Sequence, residues 1–277
     1  MKKRKLRLGK IKYANVAPVY HVFDEKGIPA WLEIVEQDPA TLNDLMTKGA
    51  LDVSPVSSVA YAQNCDKWDL LPGLCLSCHG RVMSVILALR TSLESLDNAP
   101  LYICKESTTS VQLLKLIMER EKLSPEYRSW DPSLANSLPG DGMGALLIGD
   151  TALHWIYNMH SPLFIDMGEY WYSWTGLPFV FAVWATRKNV PDELSPNIKE
   201  LLSYLNLSLN SFESKIDSVT KPLADRMNLP LKLVQRYFKC LNYRFGQREA
   251  EGMESFFDLL KARGAIGPQI RISFLNI

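Results

Sequence analysis

The sequence predicts an α/β protein of two lobes. Three observations carry that prediction. The chain has 277 residues, more than most single compact domains hold. Strand and helix signals alternate over its first two thirds. Two polar or proline-bearing stretches read as crossings between lobes. A hydrophobic fraction of 47% with 22% charged residues fits a globular protein with a real core.

The elements follow in order. Leu6, Leu8 and Ile11 form a short extended run. Pro18 opens a helix that Gly27 ends. Trp31 to Val35 is a second strand. Asp38-Pro39 is an N-cap followed by proline at the first helical position. Leu42, Leu45 and Met46 give that helix its apolar face, and Gly49 its left-handed stop. Leu51 to Val53, Leu70 to Leu76 and Val82 to Leu89 read as strands. Ser92 to Pro100 is the first expected crossing. Leu101 to Cys104 is then a strand, Val111 to Glu121 an amphipathic helix, Ala145 to Ile148 a strand, and a helix follows from about Thr151. Leu163 to Ile165 is a further strand. Gly176 and Pro178 announce the second crossing, before the apolar run Phe179 to Ala185. From Pro196 the pattern is helical, and Gly264 stops the last long helix. Residues 1–91 and 182–277 are expected to form one discontinuous lobe and 92–181 the other. The alternation implies a mainly parallel sheet.

Composition excludes several functions. There are 31 basic and 30 acidic residues, a net charge of +1, which leaves no basic surplus for nucleic acid. Lys2-Lys3-Arg4-Lys5 is followed by more charges rather than an apolar core, so no signal peptide is read. No apolar stretch reaches the length of a membrane span. The expected compartment is the cytoplasm, and the oligomeric state is left open. The five cysteines are an odd count, against a disulfide framework. Cys75-Leu76-Ser77-Cys78-His79 matches a haem c attachment pattern, but that attachment happens outside the cytoplasm and the motif lies between strand-like runs. His21, His154 and His160 form no zinc-ligand pair at the usual spacing. There is no glycine-rich phosphate loop, which argues against a nucleotide cofactor.

Three places share one design: an apolar strand stops, small polar residues follow, and a helix begins. They are Val53 to Val59 with Ser57 and Ser58, Ile103 to Val111 with Ser107, Thr108, Thr109 and Ser110, and Leu147 to Thr151 with Gly149 and Asp150. Ligands gather at the carboxyl ends of strands in such folds. Backbone N–H groups at helix starts, with serine and threonine hydroxyls beside them, suit a carboxylate or phosphate. Each of these residues also has an ordinary reading as a helix cap. Ser84 is a strand residue that points inward either to a ligand or to backbone. Asn15, just past the first strand, is either a turn residue or a ligand contact. His21 reads as surface or packing, Met227 and Phe238 as core, and Trp171, Trp174 and Phe179 as core or, for one of them, a ring over the ligand.

These stretches, in this order, resemble the chorismate dehydratases of menaquinone biosynthesis. The resemblance begins at Gly9-Lys10-Ile11-Lys12-Tyr13-Ala14-Asn15-Val16-Ala17-Pro18. It is most specific at Gly49-Ala50-Leu51-Asp52-Val53-Ser54-Pro55-Val56-Ser57-Ser58-Val59-Ala60-Tyr61. It continues through Ser77 to Val85, Glu106 to Ser110, Leu147 to Asp150 and Glu169 to Phe179, and more weakly through Glu251 to Phe256. Arg81 stands where the family's run carries proline, and Cys78-His79 replaces small or acidic residues.

The resemblance implies a periplasmic-binding-protein-like fold of type II, with the ligand in a cleft between lobes. It implies loss of water from chorismate to give 3-[(1-carboxyvinyl)oxy]benzoate, with no cofactor and no metal. On that reading Asn15 and Asp150 are the catalytic candidates. Ser57 and Ser58 would hold one carboxylate, and Thr108, Thr109 and Ser110 the other, with Ser84 and Gly149 beside them. No histidine sits in a base motif, so the base is either the substrate's own enolpyruvyl carboxylate or a protein group such as Asp150 with a raised pKa. Two alternatives stand: a small-carboxylate solute-binding protein without chemistry, and the sister enzyme of the route, which acts on a cyclic dehypoxanthinyl futalosine.

Overall fold

The computed structural model describes residues 4–104, 107–131, 138–158 and 163–276. Lys105, Glu106 and His160 of the sequence reading lie outside them. Two five-stranded mixed sheets make up the frame. The first holds β1 (Leu6–Ile11), β2 (Leu32–Gln37), β3 (Val53–Ser57), β4 (Trp68–Cys78) and β10 (Phe179–Arg187), in the order β2-β1-β3-β10-β4. The second holds β5 (Val85–Leu89), β6 (Pro100–Ile103), β7 (Glu126–Ser129), β8 (Gly144–Ile148) and β9 (Phe164–Asp166), in the order β7-β6-β8-β5-β9.

Helices α1 (Ala17–Lys26), α2 (Pro39–Thr47), α3 (Ser58–Gln63), α4 (Thr108–Arg120), α5 (Gly149–Asn158) and α6 (Met167–Thr175) connect the strands. Four more follow the last strand: α7 (Ser195–Phe212), α8 (Ile216–Met227), α9 (Leu231–Cys240) and α10 (Gln247–Ala262). The local chemistry is visible at α2, where the Asp38 carboxylate accepts from the Thr41 N–H at 2.9 Å and Pro39 begins the helix. His21 is buried and bonded to the Ser208 carbonyl at 2.7 Å, and Trp171 packs edge-on to Phe179 and Phe256. Both are packing residues, one of the readings open from the sequence. No described helix is long and apolar enough to cross a membrane.

Two expectations need correction. The sheets are mixed, not mainly parallel. β1 runs parallel to β2 and β3, and β6 to β7 and β8, but β10 is antiparallel to β3 and β4, and β5 to β8 and β9. The cause is direction of entry. β5 and β10 are the strands that receive the chain from the other sheet. Each starts at the end where β3, β4 and β8 finish, as the pairs Ala182–Ser57, Phe179–Cys78 and Val85–Ile148 show.

The second correction concerns the first crossing. Val85–Leu89 pairs within the second sheet. The chain therefore changes sheets over residues 79–84, not at Ser92–Pro100, which is a surface turn between β5 and β6. Val82 to Leu89 read as one strand because all its residues but Ser84 are apolar. In the structure Met83 breaks it at φ 60°, a left-handed conformation that few side chains adopt.

That strained passage is held by one carboxylate. Asp166, nearly fully buried, accepts from the N–H of Val82 at 3.1 Å and of Met83 at 2.7 Å. It also caps α6 through Gly168 at 3.0 Å and Glu169 at 3.1 Å. Gly168 is required there, because a Cβ would lie 2.5 Å from Cys78 Sγ and 2.6 Å from the Gly80 carbonyl. Removing the carboxylate leaves several buried donors unpaired, at about 1–3 kcal/mol each. Asp166→Ala is therefore expected to lower the unfolding free energy by about 3 kcal/mol or more, read from urea denaturation. An effect below 1 kcal/mol would show that the crossing is held by something else.

Candidate functional site

A pocket lies between the two sheets, at the ends of β1, β3 and β8. Ile11, Tyr13 and Asn15 line it from the end of β1, Pro55 and Ser57 from β3, and Leu76, Phe181 and Ala182 from β4 and β10. Across from them stand Val82, Ser84 and Val85, the start of α4 with Ser107 and Ser110, and Ile148 and Gly149. Pro39 and Leu241 complete the wall. None of these lining residues carries a charged side chain.

The sequence candidates divide into two groups. Asn15, Ser57, Ser84, Ser110 and Gly149 meet at the cavity. The Asn15 side-chain oxygen is buried and has no hydrogen-bond partner among the described residues. Its backbone carbonyl accepts from the Tyr243 hydroxyl at 2.8 Å, which fixes the residue from behind. The Ser57 hydroxyl accepts from the Ala60 N–H at 3.2 Å and from Asn43 Nδ2 at 3.3 Å. The Ser107 and Ser110 hydroxyls are 2.8 Å apart, and Ser107 also caps α4 by accepting from the Ser110 N–H at 3.3 Å. Gly149 adopts φ 59° and donates its N–H to the Ser84 carbonyl at 2.8 Å. A Cβ there would sit 3.1 Å from the Tyr13 ring, so glycine is needed both for the turn and for that approach.

Ser58, Thr108, Thr109 and Asp150 do not line the cavity. The Ser58 hydroxyl is fully buried and donates to the Val180 carbonyl. Thr108 is exposed. Thr109 is buried and accepts from the Val59 N–H at 3.1 Å, joining the starts of α3 and α4. The physical reason is helical geometry: successive residues in a first turn point in different directions, so only some of a hydroxyl run faces the ligand. α3 is also only six residues long, and its Val59 and Ala60 donors are already engaged. The contribution of this junction is thus the Ser57 hydroxyl rather than a helix terminus.

Asp150 clasps the two halves of the chain instead. Its Oδ1 accepts from the Ala14 N–H at 3.3 Å, and its Oδ2 lies 3.9 Å from the Arg226 guanidinium. Burial pushes its carboxyl above the usual range, outweighing the Ala14 bond and the Arg226 charge.

The lining residues that composition did not single out are Tyr13, Pro39, Pro55, Val82, Phe181 and Leu241. With Ile11, Leu76, Val85, Ile148 and Ala182 they make up the largely apolar wall, and an apolar residue beside a ligand has the same pattern as one in the core. Asp166 had a readable signal: Asp166-Met167-Gly168-Glu169 has the acidic N-cap and N3 glutamate of a capped helix.

The Asp150 geometry sets a pH dependence. A folded-state pKa above the unfolded value means the folded protein holds that proton more tightly. The associated stability is complete below the ordinary value of 3.8 and is lost as pH rises through the raised folded value. Asp150→Asn keeps the acceptor for Ala14 and cannot ionise. It is expected to melt above the wild type at about pH 7 and level with it below about pH 4, in calorimetric scans across pH. A variant that melts lower at neutral pH would reverse this reading.

Comparison with known proteins agrees with the geometry. The chain is 31% identical over 268 residues to a chorismate dehydratase of Thermus thermophilus, covering 91% of this chain and 94% of the relative. It is 30% identical over 179 residues to a chorismate dehydratase of Campylobacter jejuni, covering 63% and 64%. It is 24% identical over 253 residues to a 1,4-dihydroxy-6-naphtoate synthase of Thermus thermophilus, covering 89% and 90%. Among solved structures, a protein of Archaeoglobus fulgidus superposes with TM-score 0.73 at 17% identity, covering 96% of this chain and all of that one. The periplasmic aliphatic sulphonate binding protein of Escherichia coli superposes with TM-score 0.68 at 12% identity, covering 100% and 95%. These two establish a periplasmic-binding-protein-like fold. The model of the family described as menaquinone biosynthesis matches residues 6–262, and the chain belongs to that family.

Proposed function

We propose that this protein dehydrates chorismate to 3-[(1-carboxyvinyl)oxy]benzoate. The observation that carries the reading is the cavity's composition among the described residues: hydroxyls from both sheets, one buried side-chain amide oxygen without a donor, and no charged side chain in the lining. Hydroxyls satisfy carboxylates without neutralising them. The unpaired Asn15 oxygen calls for a donor on the ligand, and a ring hydroxyl supplies one. Chorismate offers both kinds of group.

In this reading Ser57 holds one carboxylate and the Ser107–Ser110 pair the other. Each hydrogen bond to a charged group contributes about 1.5–3 kcal/mol. Asn15 orients the hydroxyl that leaves. The apolar wall of Ile11, Val82, Ile148 and Phe181 packs on the ring and excludes water.

Among the described lining residues there is no carboxylate or imidazole, and in this reading the enolpyruvyl carboxylate of the substrate takes the C3 proton. A neutral, water-poor cavity raises the proton affinity of a carboxylate, which suits it to that task. The C4 oxygen departs, and the abstracted proton with the expelled hydroxide makes one water. The ring becomes aromatic and the enolpyruvyl carboxylate is regenerated, the ring carboxylate being unchanged throughout. Asp150, placed outside the cavity, has no part in this step.

The test is spectroscopic. On mixing with chorismate, the cyclohexadiene band is expected to fall as a benzoate band grows. Calorimetric binding with no spectral change would instead mean a solute-binding protein. Ser57→Ala is expected to raise KM by about 10-fold or more, and Asn15→Ala to lower kcat by about 100-fold. An Asn15→Ala enzyme with wild-type kcat would remove that residue from the reaction.

A further inference from the structure

Asn43 lies on α2 and does not line the cavity. It nonetheless grips Ser57 twice. The Ser57 N–H donates to Asn43 Oδ1 at 3.1 Å, and Asn43 Nδ2 donates to Ser57 Oγ at 3.3 Å. The orientation of this amide is dictated by its partners. A backbone N–H can only donate, so the amide oxygen must face it and the NH₂ must face the hydroxyl.

The Ser57 oxygen also accepts from the Ala60 N–H at 3.2 Å. Its two lone pairs are therefore both taken by groups that can only donate. The hydroxyl hydrogen is left with one role, donation to an acceptor outside this cluster, and Ser57 lines the cavity.

We infer that Asn43 is a positioning residue that locks the Ser57 hydroxyl as a donor aimed at a ligand carboxylate. Ser58 shows the alternative. With no such clamp, its hydroxyl turns back and donates to the Val180 carbonyl. The Ser107–Ser110 pair differs as well: it bonds hydroxyl to hydroxyl, so its proton can reverse direction. One end of the cavity is thus selective for an acceptor, and the other adapts. The carboxylate partner rests on the proposed function, whereas the lock demands only an acceptor.

The test is a double-mutant cycle with Asn43→Asp and Ser57→Ala, assayed with chorismate. The introduced carboxylate still accepts the Ser57 N–H. It offers the hydroxyl an acceptor where the NH₂ was, and the proton turns inward. KM is expected to rise at least 10-fold while kcat changes less than 3-fold and the melting temperature stays within a few degrees. Near pH 4 the introduced group regains a proton to donate, so the KM ratio to wild type should shrink there. A purely structural role would not produce that profile.

In the Ser57→Ala background the same change is expected to have little effect on KM. An equal penalty in both backgrounds would mean charge repulsion rather than a lock, and would overturn the inference. So would a wild-type KM for the single variant. If Asn43→Asp unfolds, Asn43→Ala replaces it in the cycle, with a smaller expected rise in KM and the same loss of effect without Ser57. Wild-type turnover decides the proposed function separately. If the protein binds chorismate without converting it, the cycle is read on Kd. If it does neither, both proposals fall.

Discussion

The cavity depends on the Asp166 carboxylate. Its bonds to the Val82 and Met83 N–H groups hold the passage between the sheets in a conformation that Met83 would not choose. From there a chain of backbone contacts runs around the cavity. Ser84, the next residue, gives its carbonyl to the Gly149 N–H, which sets the start of α5. The neighbouring Asp150 takes the Ala14 N–H, and Ala14 carries Asn15. Tyr243 closes the circuit by donating to the Asn15 carbonyl. Positions that must agree to within fractions of an ångström for chemistry are thus tied to one buried anion. A strained residue here is the consequence of forcing a strand to begin where another sheet has ended.

The same passage explains the mixed sheets. A chain that leaves one sheet at the cleft must enter the next at the cleft. It then runs opposite to the strands that finish there. The discontinuous arrangement and the antiparallel β5 and β10 are two views of one constraint. The donor-rich cleft follows from it, since β3 and β8 both deliver the first residues of helices to that level.

What the sequence made legible follows from how local each signal is. Strand β1, the Asp38 cap and helix α4 were readable because periodicity and capping act within a few residues. β7 was missed: Glu126 to Ser129 is mostly polar and exposed on a sheet edge, with no buried face to mark it. The crossing was misplaced because apolar pattern does not report a backbone turn, and only the positive φ of Met83 reveals it. Of the site candidates, Asn15, Ser57, Ser84, Ser110 and Gly149 line the cavity and Ser58, Thr108 and Thr109 do not, since a hydroxyl run does not say which member points inward. Asn43 and Ser57 are neighbours only through the packing of α2 on β3, a relation that spacing of 14 residues cannot encode.

The absence of charge among the described residues of the cavity wall bears on both holding and reacting. An arginine paired with each carboxylate would bind a dianion more tightly, but it would also lower the proton affinity of that carboxylate. For a reaction whose base belongs to the substrate, such tight pairing opposes the step it should assist. Neutral donors with fixed direction avoid the conflict: they orient the anion and leave it basic. The requirement then shifts from charge to geometry, because a hydroxyl that can rotate away contributes little. An amide clamp behind Ser57 is the kind of device such a cavity needs, and under the inferred lock a residue outside the wall would govern what happens inside it.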